Sequence, residues 1–210
     1  MIKVEKIDVW GFEHAVRGMR NPMDSWDKGD SRYLATGKRY ENIEYVVGEN
    51  DLDLMKRLYS AGVEHRTWAR MVYVSMDITA PLYWWKEMDR YGVGKAQVSC
   101  STMHTIHKKE FTLDDFSHDN LNGYCVVHTL EPLIHDLNDQ RNLYLQSKSK
   151  TFWNNMIQLL PSSYNQKRTV CMSYEVVFKI IKERTGHKLS EWNDFVDILK
   201  GLPYVSEIMA

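Results

Sequence analysis

The alternation of apolar and polar positions predicts three strands. Residues 2–10, IKVEKIDVW, change character at every second position, which is the period of a half-buried strand. Residues 68–78, WARMVYVSMDI, are rich in β-branched and aromatic side chains, which favour strands. Residues 167–173, KRTVCMS, form a third strand-like segment.

Helical spacing of the apolar residues accounts for most of the remaining chain. The segment ENDLDLMKRLYSAG predicts a helix that Asn50 caps and Gly62 ends, and a second helix is predicted at residues 80–91, stopped by Gly92. The C-terminal half predicts further helices, with apolar faces over 130–137 and 152–160 and with two helices at 174–185 and 190–200. Strands and helices in this order predict an α+β fold.

No linker or internal repeat divides the chain. Its 210 residues fit one domain, so we expect a single domain over residues 1–210. Residues 18–31, GMRNPMDSWDKGDS, predict an irregular loop because glycine, proline, aspartate and serine dominate it. A loop of this length that contains Trp26 is either folded onto the surface or functional.

Composition and charge exclude several classes of partner. With 27 basic and 28 acidic residues the net charge is −1, so the chain lacks the electrostatic footprint of a nucleic-acid-binding protein. No apolar run approaches the roughly 18–20 residues that span a bilayer, and the N-terminus MIKVEKIDVW does not resemble a signal peptide. The three cysteines lack metal-site spacing, which favours free thiols in a reducing compartment. We therefore expect a cytoplasmic protein without nucleic-acid or membrane partners.

The histidines and cysteines offer candidate chemistry for which simpler explanations exist. His104 and His107 lie on one helical face, but the sequence has no cysteine pair and no HExxH motif, so no metal site is predicted. Cys100, between Ser99 and Ser101, would be a nucleophile if a base lay nearby and a cation stabilised its thiolate. A small buried thiol is the favoured interpretation of Cys100.

Anionic ligands would have to be bound by side chains and helix ends. The sequence contains neither GxGxxG nor GxxxxGKS/T, the motifs whose backbone cradles dinucleotides and nucleoside triphosphates. Basic side chains bind phosphate and carboxylate groups by charge-assisted hydrogen bonds. The candidates near predicted strand and helix ends are Arg90, Lys95, Lys167, Arg168 and Arg184.

Two stretches resemble the flavin-dependent thymidylate synthase (ThyX) family in the order and spacing of their motifs. They are SAGVEHRTWARMVYVSMDITAPLYWWKEMDRYGVGKAQVSCST and LLPSSYNQKRTVCMSYEVVFKIIKERTGHKLSEW, and the resemblance extends over residues 50–105 and 150–200. The matching positions are the family's Glu-His pair at Glu64 and His65, its Arg-His-Arg signature at Arg90 to Gly92, its Ser-rich segment at Ser99 to Thr102, its Leu-Pro at Leu160 and Pro161, its strand Asn at Ser173 and its helix Arg at Arg184.

The sequence departs from the family pattern at three of these positions. Tyr91 stands where the signature has its histidine, and Gly92 stands where it has its second arginine. Ser173 stands where the family has an asparagine that contacts the flavin. The match is therefore one of order and spacing more than of identity.

The resemblance implies a fold, a reaction and a set of site residues. The fold would be an α+β domain with a small, mainly antiparallel sheet and several packed helices. The reaction would be reductive methylation of dUMP, in which methylenetetrahydrofolate donates the carbon and FAD reduced by NADPH supplies the hydride, without an enzymic cysteine nucleophile. By position, the catalytic role would fall to Arg90, the flavin contacts to His65, Arg90, Tyr91 and Ser173, and the nucleotide contacts to Ser99, Ser101 and Arg184.

The resemblance also implies an assembly. Family members form homotetramers whose sites combine several subunits, so a homo-oligomer, a homotetramer, is expected here. Trp84 and Trp85 lie in the helix that leads into the signature. They would pack either at a subunit contact or in the core.

Three functions remain open from the sequence. Arg90, His65 and Ser99 favour a flavoenzyme that acts on a pyrimidine deoxynucleotide. Gly92 and Ser173 favour a non-catalytic nucleotide-binding protein that keeps the fold but has lost flavin chemistry. The third is a structural protein whose aromatic surface meets another chain.

Overall fold

The computed structural model describes residues 2–36 and 42–210. Its strands are β1 Lys3–Trp10, β2 Arg32–Thr36, β3 Asn42–Val46, β4 Tyr73–Pro81, β5 Lys95–Ser99 and β6 Asn165–Ser173. Its helices are α1 Phe12–Arg20, α2 Glu49–Ala61, α3 Leu82–Met88, α4 Thr102–Thr105, α5 Gly123–Cys125, α6 Glu131–Ser147, α7 Lys150–Leu159, α8 Tyr174–Arg184, α9 Ser190–Lys200 and α10 Val205–Met209. A π-helical turn, Val126–Leu130, joins α5 to α6.

The strands form a four-stranded sheet of order β1-β4-β6-β5 and a separate antiparallel hairpin of β2 and β3. Just before β4, the Val72 carbonyl accepts from the Tyr174 N–H, which follows β6. Just after β4, the Leu82 N–H donates to the Tyr164 carbonyl, which precedes β6. Because the end of one strand lies beside the start of the other, β4 and β6 are antiparallel. The α+β prediction with a small, mainly antiparallel sheet is confirmed.

The chain divides into two compact units. Each strand of the four-stranded sheet contributes residues to both, because the division falls within the strands. The first unit consists of Met1–Glu5, Asp77–Arg90 and Gln97–Val170, and the second consists of Lys6–Met76, Tyr91–Ala96 and Cys171–Ala210. The expectation of a single domain over residues 1–210 remains a prediction.

The core of the first unit contains the two adjacent tryptophans of α3. Trp84 and Trp85 are 0 % and 1 % exposed, and their rings meet edge to face at 4.9 Å. The Trp85 indole N–H donates to the Gln166 carbonyl at 2.9 Å, so its polar edge is satisfied inside the fold. Of the two sites expected for these rings, the structure places them in the core rather than on a free surface.

The core of the second unit is aromatic. Tyr174, the first residue of α8, lies at its centre and packs edge to face against Phe12 of α1 and Phe178 of α8, at 5.5 and 5.9 Å. On α9, Trp192 contacts Phe195 at 6.1 Å. Such rings bury large apolar areas, which favours a compact unit.

Several element boundaries differ from the sequence predictions. The predicted strand at 68–78 begins only at Tyr73, because Thr67–Arg70 forms a 3₁₀ turn whose Trp68 is buried. The predicted helix at 80–91 is shorter, Leu82–Met88, because β4 continues to Pro81. Part of the predicted loop at 18–31 is helical, since α1 runs to Arg20 and two 3₁₀ turns follow.

The predicted N-cap of α2 is wrong. The helix begins after Gly48, and the cap is supplied from a distant part of the chain. The Asp30 carboxylate accepts from the backbone N–H groups of Asn50 and Asp51, at 2.9 and 3.1 Å. This carboxylate, from far along the chain, accepts hydrogen bonds from the free N–H groups of the first turn. Its negative charge also interacts favourably with the positive end of the helix dipole. At its other end, Gly62 ends the helix as predicted, with a φ of 128°.

The described helices include none that could span a membrane.

Candidate functional site

A cavity of about 460 Å³ lies in the first unit, beside the end of β5 and the start of β6. Cys100 follows β5 directly, and its backbone N–H donates to the Lys167 carbonyl of β6 at 2.9 Å. This bond continues the sheet ladder by one residue and fixes Cys100 beside Lys167. The cavity is lined by a thiol, by charged and aromatic side chains and by a few smaller ones: Thr79, Cys100, Thr105, Ile106, Lys108, Lys109, Phe111, Asp114, Asp115, Tyr164, Asn165 and Lys167.

The aromatic wall of the cavity is built by packing around Tyr164. Phe116 and Tyr164 form an isolated antiparallel bridge, and their rings lie 5.8 Å apart. Phe111 contacts the same ring at 6.4 Å. Phe111 and Phe116 belong to the hydrophobic cluster of the first unit, so the wall rests on a packed core. A rigid aromatic surface of this kind suits a planar ligand.

Lysines and carboxylates lie close together around the cavity. Lys167 lies 3.0 Å from Asp77 and 3.9 Å from Glu5, and the hydrogen bond to Asp77 is the main cause of a raised Lys167 pKa. Lys109 forms an ion pair with Asp115. Three lysines and two aspartates line the cavity, and two of these lysines, Lys109 and Lys167, are already paired with carboxylates. The ammonium group of Lys108, which is exposed, can attract a phosphate or carboxylate group.

Tyr164 contributes a protonated phenol. Burial raises its pKa, and the negative charges of Asp115 and Cys100 raise it further. At neutral pH the Tyr164 hydroxyl therefore keeps its proton and can donate it in a hydrogen bond.

Two of the predicted site residues meet in the second unit. Arg184 is 8 % exposed, and its Nε donates to the Tyr91 hydroxyl at 2.9 Å. The Tyr91 hydroxyl in turn donates to the Glu183 carboxylate at 2.9 Å. The Arg184 guanidinium also lies over the Trp192 ring, 4.4 Å from its centre, and contacts His187 at 3.1 Å. Tyr91 and Arg184 thus form hydrogen bonds with one another and with neighbours in the same unit.

Ser173 is also buried in the second unit. It is 2 % exposed and its backbone N–H donates to the Gly94 carbonyl at 3.0 Å. It stands directly before α8, as the residue that precedes the first helical turn.

The other predicted site residues lie nearer the surface. His65 follows the C-terminal turn of α2 with an imidazole that is 54 % exposed, 3.9 Å from Glu64. Arg90 and Ser99 are exposed. The Ser101 hydroxyl accepts from the His104 N–H at 3.4 Å and so caps the short helix α4. Ser99 and Ser101 flank Cys100 in the chain, but only Cys100 lines the cavity.

The sequence patterns indicate only part of this cavity. They single out Cys100 as a candidate nucleophile and Lys167 as a candidate anion contact, but not Lys108, Lys109 or Tyr164, which line the same cavity. The paired lysines and the tyrosine before the predicted strand were visible signals. Nothing in one sequence shows that these segments converge.

The described residues contain one group with the spacing of a metal site. His135, Asp136 and Asp139 on α6 each offer a ligand atom within 4.8 Å of the others, and all three are exposed. Exposed acidic groups on adjacent turns of a helix occur commonly without a metal ion. His104 and His107 are not members of this group.

The residues expected to hold FAD fit it unequally. His65 and Arg90 are accessible and can meet a flavin as hydrogen-bond donors. Tyr91 and Ser173 are buried, and the Tyr91 hydroxyl already has two partners. Within one chain, His65 and Arg90 are therefore the two residues of this set that fit the cofactor.

The fold defines the structural class of the chain. It is the fold of the flavin-dependent thymidylate synthases, to whose solved structures the chain is similar at 15 % and 16 % sequence identity. No protein-family model matches the sequence, and the comparison with curated proteins finds no match.

Three solved structures share this fold over nearly the whole chain. ThyX from Helicobacter pylori, in complex with FAD and dUMP, has a TM-score of 0.65 at 15 % identity, covering 96 % of this chain and 94 % of its own. A second structure of ThyX from that organism, also with FAD and dUMP, has a TM-score of 0.66 at 16 % identity, covering 97 % and 94 %. The UMP/dUMP methylase PolB from Streptomyces cacaoi, bound with 5-Br dUMP, has a TM-score of 0.66 at 13 % identity, covering 100 % and 94 %. At these identities the likeness shows the fold alone.

Proposed function

We propose that the protein binds a pyrimidine deoxynucleotide such as dUMP in the lysine-lined cavity and transfers a one-carbon unit to its base, as a flavin-dependent thymidylate synthase-like enzyme. The observation that carries this proposal is the cavity itself. Its volume of about 460 Å³ lies within the range of small-molecule sites. Proteins of the same fold have been solved with dUMP and with 5-Br dUMP, which supports a nucleotide of this class.

Different side chains of the cavity would contact the phosphate and the base of the nucleotide. Lys108, which is exposed, offers its ammonium group to the phosphate, and Lys109 and Lys167 would do so beside the carboxylates that they already contact. Phe111 and Tyr164 offer an apolar surface to the base, and the Tyr164 phenol donates a hydrogen bond to a base carbonyl. The predicted nucleotide contacts of Ser99, Ser101 and Arg184 stay part of the proposal for the assembled protein.

FAD is the proposed cofactor, with NADPH and methylenetetrahydrofolate as co-substrates. When bound, the flavin would supply the hydride for the reduction. His65 would contact the flavin, and the Arg90 guanidinium would stabilise negative charge that develops on the flavin or the pyrimidine. We further propose that the chain acts as a homotetramer in the cytoplasm, where its three free cysteines stay reduced.

A second candidate is a nucleotide-binding protein without flavin chemistry. The observation that favours it is the engagement of Tyr91 and Arg184 with one another and with Glu183 in the second unit. Gly92 at the signature position also lacks any side chain for a cofactor. In this case the cavity would retain the nucleotide but the chain would not reduce it.

Binding is tested by thermal stabilisation. A ligand that binds only the folded state raises the melting temperature, so dUMP should stabilise the protein and deoxyuridine, which lacks the phosphate, should do so less. Lys108→Met should weaken the dUMP effect because it removes an exposed cavity ammonium group. Lys150→Met, at an exposed lysine of α7 outside the cavity lining, is the matched control and should not. Equal losses in the two variants, or no dUMP effect at all, would contradict the cavity assignment.

Flavin chemistry is tested separately on the same preparation. The enzyme proposal expects the visible absorbance of bound flavin after incubation with FAD, and NADPH oxidation that depends on dUMP. If the protein binds dUMP but neither takes up FAD nor oxidises NADPH, the enzyme proposal fails and the nucleotide-binding protein without flavin chemistry is supported.

A further inference from the structure

Another cavity, of about 720 Å³, lies within the second unit. It is lined by the end of β1, the start of α1 and both strands of the hairpin. Gly11 makes the turn between β1 and α1 with a φ of +100°, and a Cβ built on it would clash with the Met71 carbonyl oxygen, so this turn requires glycine. The volume lies within the range of small-molecule sites, and the residues proposed to bind nucleotide and flavin are not among those that line this cavity.

Aromatic rings form much of the cavity wall. Trp10 and Tyr33 line it while remaining 44 % and 56 % exposed. The Tyr33 ring meets the Tyr45 ring edge to face at 5.1 Å, and Phe12 meets Tyr204 in the same way at 5.2 Å. Large aromatic side chains left exposed in a concave surface are typical of a ligand site.

Two of these rings are held in place by their hydroxyl groups. The Tyr33 hydroxyl donates to the Glu13 carboxylate at 2.6 Å, and the Tyr204 hydroxyl accepts from the Val47 N–H at 3.1 Å. Tyr204 also has a φ of 62°, a left-handed conformation that a residue other than glycine keeps only where its surroundings hold it. The rings are therefore fixed before a ligand binds, which lowers the ordering cost of binding. With both hydroxyls engaged, the ring faces are what these side chains offer a ligand.

Negative charge predominates in the lining. Among the described residues it contains three carboxylates, Asp8, Glu13 and Glu44, and the His14 imidazole, but neither lysine nor arginine. All three carboxylates belong to exposed residues. The hydrogen bond to Glu13 raises the pKa of the Tyr33 phenol, so the phenol stays neutral and Glu13 keeps its negative charge. Carboxylates beside aromatic faces attract a cation.

The arrangement of the carboxylates distinguishes an organic cation from a metal ion. Within the described chain, the group whose ligand atoms converge within 4.8 Å is His135, Asp136 and Asp139, which does not include the carboxylates of this cavity. A metal ion needs several oxygen ligands around one point. An alkylammonium group is larger and binds through ring faces together with charges that do not converge.

We propose that this cavity binds a small organic cation, an alkylammonium group carried on an apolar body. The Trp10 and Tyr33 rings contact its alkyl groups, and Asp8 and Glu44 balance its charge. None of these residues takes part in the proposed nucleotide or flavin binding, so the site is a second one that stands or falls independently of that function.

Choline is the probe for this site, and ligand-observed NMR titration of the unaltered protein measures its affinity. The control is the neutral alcohol in which carbon replaces the ammonium nitrogen of choline, because it has the same shape without the charge. Since a cation gains from both the ring faces and the carboxylates, choline should bind at least about fivefold more tightly than the alcohol. Equal affinities would overturn the proposal. So would the absence of choline binding, even if a short lysine peptide binds.

Matched variants locate the binding. Trp10→Leu keeps an apolar side chain but removes the ring face, and should weaken choline binding at least about threefold. Trp26→Leu, at a tryptophan that is 53 % exposed and outside this lining, should not weaken it. Asp8→Asn should weaken choline binding, whereas Asp194→Asn, at an exposed aspartate of α9, should not. Circular dichroism confirms that each variant is folded, and equal losses within either pair would overturn the assignment to this cavity.

Discussion

Asp51 carries its carboxylate in the core of the second unit, where it is 0 % exposed. Arg20 donates to it at 2.6 Å, the Ser31 hydroxyl and N–H donate at 2.6 and 2.9 Å, and the Asp30 N–H donates at 3.0 Å. These bonds replace the water that the charge loses on burial. They tie the segment that sequence patterns predict as an irregular loop onto α2.

Removing this carboxylate should destabilise the protein strongly. Asp51→Ala leaves the Arg20 guanidinium, in a residue that is 5 % exposed, buried without its acid partner. Breaking a buried ion pair from one side costs about 3–5 kcal/mol of unfolding free energy. Asp53→Ala, on the same helix, removes an exposed pair with Arg57 and should change stability by less than about 1 kcal/mol. Urea denaturation of the two variants measures the difference.

The same network predicts a pH dependence. Burial opposes ionisation of Asp51, but hydrogen bonds from Ser31 and Arg20 outweigh it and lower its pKa. A lowered folded pKa means that the stabilisation is complete above the ordinary aspartate pKa and is lost as the pH falls through the lowered value. The stability gap between the unaltered protein and Asp51→Asn should therefore shrink in acid. A gap that stays constant down to the acid limit would contradict this assignment.

At the scale of the elements, two glycines near β5 differ sharply in what surrounds them. Gly94 has a φ of +79°, and a Cβ built on it would lie 3.1 Å from the Ser173 hydroxyl and 3.1 Å from the Val176 side chain. Among the residues that the structure describes, none has an atom within 4 Å of such a Cβ on Gly92. The backbone therefore needs a glycine at one position and accepts a side chain at the other.

The two glycines form a matched pair of substitutions. Gly94→Ala should lower the unfolding free energy by about 1–2 kcal/mol, because a left-handed conformation and a tight contact both oppose the added methyl group. Gly92→Ala should change it by less than about 0.5 kcal/mol. Thermal or urea unfolding of both variants gives the comparison, and equal losses would show that the contact at Gly94 relaxes freely.

Periodicity predicted those elements whose packing follows their local pattern. The helices at 174–185 and 190–200 and the strand at 167–173 appear as α8, α9 and β6 within two residues of their predicted ends. The segment at Trp68 fails because a buried 3₁₀ turn and a strand use the same apolar side chains. The cap of α2 fails because Asp30 reaches it from far along the chain, which no local pattern records.

At the scale of the whole molecule, the order of motifs predicts the fold, which the structure confirms, while the assignment of the site residues stays a prediction. Tyr91 and Arg184 were predicted to contact different ligands, yet they bind one another. Lys108 and Tyr164 reach the same cavity as Cys100 from separate segments, and their convergence depends on the fold rather than on spacing. Contacts of this kind depend on tertiary packing, and the local patterns of a single sequence do not show which distant segments meet.

Assembly makes a prediction at this scale. A homotetramer should elute with four times the mass of one chain in size-exclusion chromatography with light scattering. Val93 and Val98, which are 93 % and 76 % exposed on either side of the start of β5, are apolar side chains that such an assembly could cover. A monomer at every protein concentration tested would contradict the tetramer.

The open space around Gly92 means that the fold does not require a particular residue at this signature position. Because none of the described residues has an atom within 4 Å of a Cβ built there, the fold leaves room for the first atom of a side chain at this position. The residue at such a position can therefore change without a clash at its Cβ. Gly92→Arg would place at this position the second arginine of the signature that the sequence resembles, and FAD uptake by the variant would measure what that arginine adds.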